Sequence, residues 1–428
     1  MKTLQPESES NVRKLPSVIF ITYDGLLDPL GGSQILPYVF GIAGHPRHIH
    51  ILSFEKVDRL VSSGGQLRDR LKGADISWTP LIFTQKFGVA GKFWDLLRMY
   101  FFGLRIAVLE RRKIVHARGH AAAQVGLLLK RWLGTKLLFD FRGLWVDERV
   151  DKGGWNLDRF THRLQFRYYK KIEQGLLAQA DQVIVLTHAV VPEVARLGSI
   201  STNKITVIPC CADFDHFDIV DVPQRSVTRS QFELPSNAIV LGYLGSVGGM
   251  YLSERFFRLV EFAANVNPLL HVLALTPDVE KFNADMRRCS PTSLHGRIRV
   301  RAANRDQVAQ WLPCMDVLVA FARPSYARLS MSPTKLAEAF AAGIPAICNQ
   351  GVGDVAEVVH DLDAGWVLDA DSDAALAEAA NLLDTIADKG GKTLRESARV
   401  YLGLEVAAQR YRSVYLKLDG ACSVSPQD

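Results

Sequence analysis

Thirteen short apolar runs punctuate the chain, and their continuity constrains the fold more than any other feature. The first seven are "SVIFIT" from Ser17, "HIHILSF", "ISWTPLIF", "KIVHA", "KLLFDF", "QVIVLT" and "ITVIP". Helix-like stretches such as "RFTHRLQFRYYKKIEQGLLAQA" lie between most of them. Unbroken rather than alternating apolar runs belong to strands buried on both faces, so a parallel sheet covered by helices is expected. The alternation then pauses at "DIVDVPQRSVTRSQFELPSN", which is polar, contains two prolines and shows no clean period; it reads as a linker. Six more runs follow: "AIVLGYLG", "HVLALT", "IRVRA", "DVLVAF", "PAICN" and "GWVLD". A chain of 428 residues also exceeds one ordinary core. The expected plan is a Rossmann-like α/β domain over 1–220, a linker over 221–236 and a second such domain over 237–400. Residues 401–428 then hold a helix, "LGLEVAAQRYRSVYLKL", that packs back across the linker, and a tail. Open α/β sheets bind ligands beyond the carboxyl ends of their strands, so the cleft between two such domains is the expected site.

Composition excludes several classes. Apolar residues make up 48% and charged residues 22%, the balance of a folded soluble protein. No segment gives about 18 uninterrupted apolar residues, so no transmembrane helix is expected. The polar start "MKTLQPESESNVRKLP" lacks an apolar secretory core, which points to the cytoplasm. Cys210, Cys211, Cys289, Cys314, Cys348 and Cys422 show neither metal spacing nor a disulfide framework and read as free thiols. The net charge of +6 suits anionic ligands or an anionic membrane surface. No zinc-finger or aromatic-and-basic RNA signature accompanies it, so nucleic acid is not an expected partner.

Two segments carry the strongest chemical signals. After the first strand, Gly31 and Gly32 precede an apolar helical run that begins near Ser33. Glycines admit close backbone approach, and a helix start offers free N–H groups to an anion; a plain turn capped by Ser33 is the blander alternative. The spacing is not a dinucleotide fingerprint. The second segment is "MSPTKLAEAFAAGIPAICNQG" (331–351). Ser332 reads as a cap, Pro333 as the first helical residue, and Gly343 with Pro345 as the stop. Lys335 falls in the first turn, where the helix dipole disfavours a cation unless an anion sits opposite. Glu338 shares its face three residues on, and a carboxylate suits a pair of neighbouring hydroxyls such as a ribose diol. The alternative is a surface Lys–Glu pair worth a few tenths of a kcal/mol. The alanines at 337, 339, 341 and 342 allow close packing on the sheet.

"SPTKLAEAFAAGIPAICNQGVGDVAEVV" closely resembles the donor-binding segment of glycosyltransferase family 4, retaining enzymes of GT-B fold. "FITYDGLLDPLGGSQILPY", "FDFRGLWVDERVDKGGW", "ADQVIVLTHAV" and "VIPCCADFDHF" resemble the same family in the same order, over roughly 17–370. The resemblance implies two Rossmann-like doubly wound domains facing across a cleft. It implies that Glu338 binds the ribose hydroxyls, that Gly31 and Gly32 touch the diphosphate with Ser33, and that Ser332, Thr334 and Lys335 complete the donor site. The family's first glutamate, a contact of the donor sugar, falls at Ser330. The arginine–lysine pair that many members carry after the first strand of the second domain is missing from "YLGSVGGMYLSERF", so Lys335, or Arg323 and Arg328, would supply the positive charge. Arg142 aligns with a histidine that many members place near the sugar; as a permanent cation it would stabilise diphosphate or bind an acidic group, or else pair with Asp140 or Asp147. Arg142, Lys335 and Ser330 are thus the catalytic candidates. Arg118, His120, Asp147 and Glu148 are acceptor-side candidates, each with a structural reading beside it.

Asp213 and Asp215 form Asp-x-Asp, a metal signature elsewhere, but they fall in a structural segment of the family, so no metal or other cofactor is expected beyond the UDP- or GDP-sugar. Lys92–Lys113 reads as a basic, apolar helix, either half-buried in the domain or lying on an anionic inner membrane; "RFTHRLQFRYYKK" is similar. The resulting expectation is a cytoplasmic, peripheral, retaining hexosyltransferase acting on a glycan or lipid-linked acceptor in bacterial surface polysaccharide synthesis. A sugar-nucleotide epimerase and a non-catalytic nucleotide-sugar-binding subunit are the alternatives.

Overall fold

A computed structural model describes residues 17–43, 48–84, 86 and 88–420. The polar start at 1–16 and Cys422 lie outside them. Every apolar run becomes a strand. The first seven are β1 (Val18–Thr22), β2 (Ile49–Glu55), β3 (Ile76–Ile82), β4 (Ile114–Arg118), β5 (Lys136–Asp140), β6 (Gln182–Val185) and β7 (Ile205–Val207). The other six are β8 (Val240–Leu244), β9 (His271–Leu275), β10 (Ile298–Arg301), β11 (Val317–Ala320), β12 (Ala346–Asn349) and β13 (Gly365–Leu368). They form a seven-stranded sheet, β3-β2-β1-β4-β5-β6-β7, and a six-stranded sheet, β10-β9-β8-β11-β12-β13. Both reverse direction of winding at one place, between β1 and β4 and between β8 and β11. Such a switch point opens a crevice at the carboxyl ends of its two strands.

Contacts divide the chain into two compact units. The first comprises Met1–Asp140, Leu176–Val183 and Ala408–Asp428; the second comprises Phe141–Gly175 and Ile184–Ala407. In the first unit β1, β2 and β4 are buried along their whole length, as continuous apolar runs require. Register sets Thr22, Arg118 and Asp140 side by side at the carboxyl ends of β1, β4 and β5. The helix Leu404–Leu418 returns to this unit: Tyr415 OH stands 2.8 Å from His116 Nδ1, and Arg412 donates to the Gly41 carbonyl at 2.6 Å.

In the second unit one face of the sheet packs on Phe256, Phe257 and Phe282, all fully buried. The other face takes the helix Thr334–Ala341, which buries Leu336, Ala337, Ala339, Phe340 and Ala341. Its small residues let Phe340 reach the core while the helix lies close to β11 and β12. Gly343 ends it at φ +70, a left-handed conformation cheap only for glycine. The Ile344 N–H returns to the Ala339 carbonyl at 2.8 Å and the Gly343 N–H to Phe340 at 3.0 Å, closing the last turn.

The polar 221–236 segment holds a helix, Val222–Gln231, with Asp221 accepting from the Gln224 N–H as its cap. Arginines rather than an apolar stripe fasten it. Arg229 is buried and donates to the carbonyls of Cys314, Ser236 and Ala238 and to Asp316. Arg225 donates to Pro313, Met315 and Asp316.

Candidate functional site

The second unit's switch point gathers the best candidates. The loop leaving β8 and the loop leaving β11 are tied by a bridge between Tyr251 and Ala322. The helix Thr334–Ala341 follows, with its first residue Thr334 partly accessible. The expected cap is displaced: Pro333, not Ser332, is the N-cap, and it lends no side-chain bond. Ser332 instead accepts from the Cys210 N–H at 3.0 Å, because the incoming chain supplies a donor that needs a partner.

Lys335 extends over aromatic faces, its Nζ 4.0 Å from the Tyr251 ring centroid and 5.7 Å from that of Tyr243. It also lies beside Gly245, where an added Cβ would stand 3.2 Å from Nζ. Burial pulls its amine down to about 8, against the opposing pull of Glu338. Glu338, half-buried on the same helix face, is pushed up to about 7 by burial, with Arg305 and Lys335 working the other way. Arg305 is held over the Phe217 ring at 5.5 Å. Neither the Lys335 nor the Glu338 side chain makes a hydrogen bond or ion pair with any described residue. Two sheltered, unpaired ionisable groups on one short helix cost stability, an arrangement that favours a ligand able to pair both.

A second cluster in this unit fixes the loop after β5. Ser330 is buried; its Oγ donates to the Ala327 carbonyl at 2.8 Å and accepts from the Leu144 N–H at 3.1 Å. Arg142, two residues earlier, donates to Cys210 Sγ at 3.5 Å. Glu148 reaches Lys152 at 2.7 Å and buried Arg328 at 3.8 Å. Asp147 takes Lys170, which also meets the fully buried Glu173 at 2.7 Å. Burial raises the Asp147 carboxyl while Lys170 opposes it. Arg328 is therefore committed to Glu148, whereas Arg323 is exposed. Asp213 is occupied in a turn, accepting from the Asp215 and His216 N–H groups, and Asp215 faces Arg399. Cys210, Cys211, Cys289, Cys314 and Cys348 are thiols not joined in a disulfide.

The first unit corrects the reading of its glycines. The helix starts at Pro29, not near Ser33, and a second helix, Leu36–Ile42, follows with Pro37 in its first turn. Gly31 and Gly32 therefore lie within a helical turn. Ser33 is no cap: its Oγ donates back to the Pro29 carbonyl at 2.9 Å. Gly31 is buried, and a Cβ there would stand 2.1 Å from the Gly25 carbonyl, so close chain crossing demands glycine. Nothing lies within 4 Å of a Cβ at Gly32. Arg118 is buried beside Asp140 at 3.5 Å and donates to Gln34 of the glycine helix at 3.2 Å. His120 packs edge-on against Phe139 at 5.6 Å. Glu55 was not singled out by sequence, yet its buried carboxylate accepts from the Leu26 and Leu27 N–H groups at 2.8 and 3.2 Å and holds the loop before the glycines. Tyr251, Tyr243 and Arg305 were missed likewise, since only the fold brings them to Lys335 and Glu338.

Two family patterns match the chain in tandem: a glycosyl transferase 4-like domain over residues 52–211 and glycosyl transferases group 1 over residues 243–384. The chain belongs to the family 4-like glycosyltransferases. Its two parallel sheets have the GT-B architecture. Solved structures of similar fold include a glycosyltransferase from Rickettsia africae, 16% identical, with TM-score 0.68 over 95% of this chain and 99% of that one. Anabaena HepE in complex with UDP-glucose is 14% identical, with TM-score 0.68 over 94% and 99%. Sucrose-phosphate synthase from Thermosynechococcus elongatus is 16% identical, with TM-score 0.64 over 95% and 100%. A search of curated proteins returns no match. In this glycosyltransferase Lys335 and Glu338 fall inside the group 1 match, and Arg118, Arg142, Asp147 and Glu148 inside the 4-like match.

Proposed function

We propose that this glycosyltransferase takes a sugar from a nucleotide-diphosphate sugar and passes it, with retention, to a glycan or lipid-linked acceptor in bacterial surface polysaccharide assembly. The observation that carries the reading is the unpaired Lys335–Glu338 face. The UDP-glucose complex of Anabaena HepE, a structure of similar fold, supports a nucleotide-sugar donor. Glu338 as a carboxylate accepts both hydroxyls of a ribose diol. Lys335 as an ammonium takes diphosphate charge, and Thr334 with the helix start adds dipole and N–H groups.

The sugar–oxygen bond breaks with its electron pair moving to the diphosphate. A preorganised cation beside that oxygen gains strength as the charge grows, so it lowers the barrier more than it tightens ground-state binding. The acceptor hydroxyl then attacks the face the diphosphate left, and its proton passes to the departing oxygen. Arg142 is assigned to diphosphate charge, Gly31, Gly32 and Ser33 to diphosphate contact, and Asp147, Glu148, Arg118 and His120 to the acceptor side. Ser330 acts through the loop it ties rather than as a base. The hexosyltransferase reaction so drawn uses no metal.

The test is transfer of labelled sugar from UDP- or GDP-sugars to lipid-linked or glycan acceptors by the wild type, Lys335→Ala and Glu338→Ala. Turnover that falls about a hundredfold in each variant, roughly 2.7 kcal/mol, is the expected result. Donor binding without turnover on any acceptor would favour the non-catalytic subunit instead.

A further inference from the structure

The helix Gly88–Leu109 of the first unit buries Met99 and Ile106 yet also turns large apolar residues outward. Phe93, Trp94 and Phe101 are 62%, 57% and 60% exposed, and Leu97, Val108 and Leu109 are exposed with them. Its inner side faces the neighbouring helix Gly119–Leu133, where a Cβ on Gly103 would stand 3.5 Å from both Val125 and Leu129. That second helix adds Leu128, Leu133 and Trp132, the last 75% exposed. A surface of this kind is unusual on a water-facing helix, where the apolar stripe points to the core.

Charge says what covers it. Across both helices the sole carboxylate is Asp95, which is fully buried and bound by Tyr23, Thr84 and Arg98. Lys92, Arg105 and Arg131 are exposed on the same two helices. Large aromatics that prefer the headgroup layer, joined by exposed cations, match an anionic bilayer; the nearest exposed carboxylate, Glu110 just past the first helix, is neutralised by Arg112. Protein–protein interfaces are depleted of lysine, so exposed Lys92 beside the aromatics favours lipid over a protein partner. No described helix is long and apolar enough to cross a membrane, so the contact is one of lying on the surface.

We propose that the paired helices Gly88–Leu109 and Gly119–Leu133 form a docking face for an anionic lipid bilayer, with Trp94, Phe101 and Trp132 inserted among the headgroups and Lys92, Arg105 and Arg131 on lipid phosphates. Phe93, Leu97, Tyr100, Phe101, Leu104 and Val108 follow helical spacing in the sequence; of these only Tyr100 and Leu104 are partly covered, and Trp132 joins the face from the neighbouring helix. The inference rests on surface composition and not on the donor chemistry, so each can fail alone.

Co-sedimentation of the full chain with vesicles of phosphatidylethanolamine and phosphatidylglycerol, about three to one, and with pure phosphatidylcholine vesicles tests it. Binding to the anionic vesicles alone, weakened at least about tenfold by Trp94→Ser with Phe101→Ser, is expected. Lys92→Glu with Arg105→Glu should abolish the preference for anionic lipid. Unchanged melting curves and unchanged melting shifts with nucleotide sugar show that the variants fold and leave the donor site intact. No partition into anionic vesicles, or partition indifferent to both pairs of substitutions, overturns the proposal. So does a wild-type dimer in solution that the aromatic substitutions split, which would make the face a contact between copies.

Discussion

The polar groups at the two switch points contrast. In the first unit Arg118 is buried and engaged with Asp140 and Gln34, and Glu55 is saturated by the chain it holds. In the second unit Lys335 lies over the Tyr243 and Tyr251 rings, and Glu338 on the same helix feels the charges of Arg305 and Lys335, but neither side chain forms a hydrogen bond or ion pair with a described residue. The same sheet topology thus supports a crevice whose buried charges are already paired within the chain and one whose charges are held in reserve. Saturated groups stabilise the fold when present. Reserved ones strain it until a ligand arrives, which is the usual trade between stability and function.

Substitutions on the two sides should therefore differ in sign. Arg118→Met removes the permanent cation beside buried Asp140 and leaves that carboxylate with His116 at 3.6 Å and the Tyr411 hydroxyl at 3.4 Å, so unfolding free energy should fall by about 3 kcal/mol in urea titration, with donor affinity per folded molecule unchanged. A loss below about 1 kcal/mol would erase the contrast.

Glu338→Gln should move stability the other way. A carboxyl raised from the ordinary range to about 7 contributes stability that is complete below the unfolded value and is lost as pH rises through 7. The wild type carries that penalty above about pH 7 and the glutamine variant does not, so the variant should be more stable by about 2 kcal/mol near pH 8, with the gap closing toward pH 5. Lys335, held down to about 8, loses its cation above that pH. Donor affinity should hence be greatest between about pH 7 and 8, falling below as Glu338 protonates and above as Lys335 deprotonates. A flat profile across that range would detach both groups from the donor.

Smaller effects sharpen the picture. Ser330→Ala should cost about 1 kcal/mol by orphaning the buried Leu144 N–H, visible as a lowered melting temperature. Gly32→Ala should be neutral or stabilising by about 0.5 kcal/mol, since nothing stands within 4 Å of the added carbon and the position is helical.

Much of the fold was legible because apolar continuity is a local signal. All thirteen runs are strands, and the Glu338 helix ends at Gly343 as its residues require. What escaped depends on distant partners. The Val222–Gln231 helix has no apolar period to read, because Arg225 and Arg229 fasten it to the 313–316 turn. The glycine helix starts four residues early because Pro29 suits the first helical position, although Asp28 before it lends no capping bond. Lys335 and Glu338 stand out in sequence through their place in a short capped helix. Tyr251, Tyr243 and Arg305 do not, since they come from three other segments that only the folded sheet assembles.

The most direct measurement is the melting shift of wild type and Glu338→Gln with UDP- and GDP-sugars near pH 7.5, where the shift follows RT ln(1 + [L]/Kd), about 2.7 kcal/mol at a hundred times Kd. At least one sugar nucleotide should raise the wild-type transition by several degrees and leave the variant, itself the more stable protein without ligand, unmoved. Equal shifts in both proteins, or none in the wild type at millimolar ligand, would contradict the assignment of the Lys335–Glu338 face to the donor.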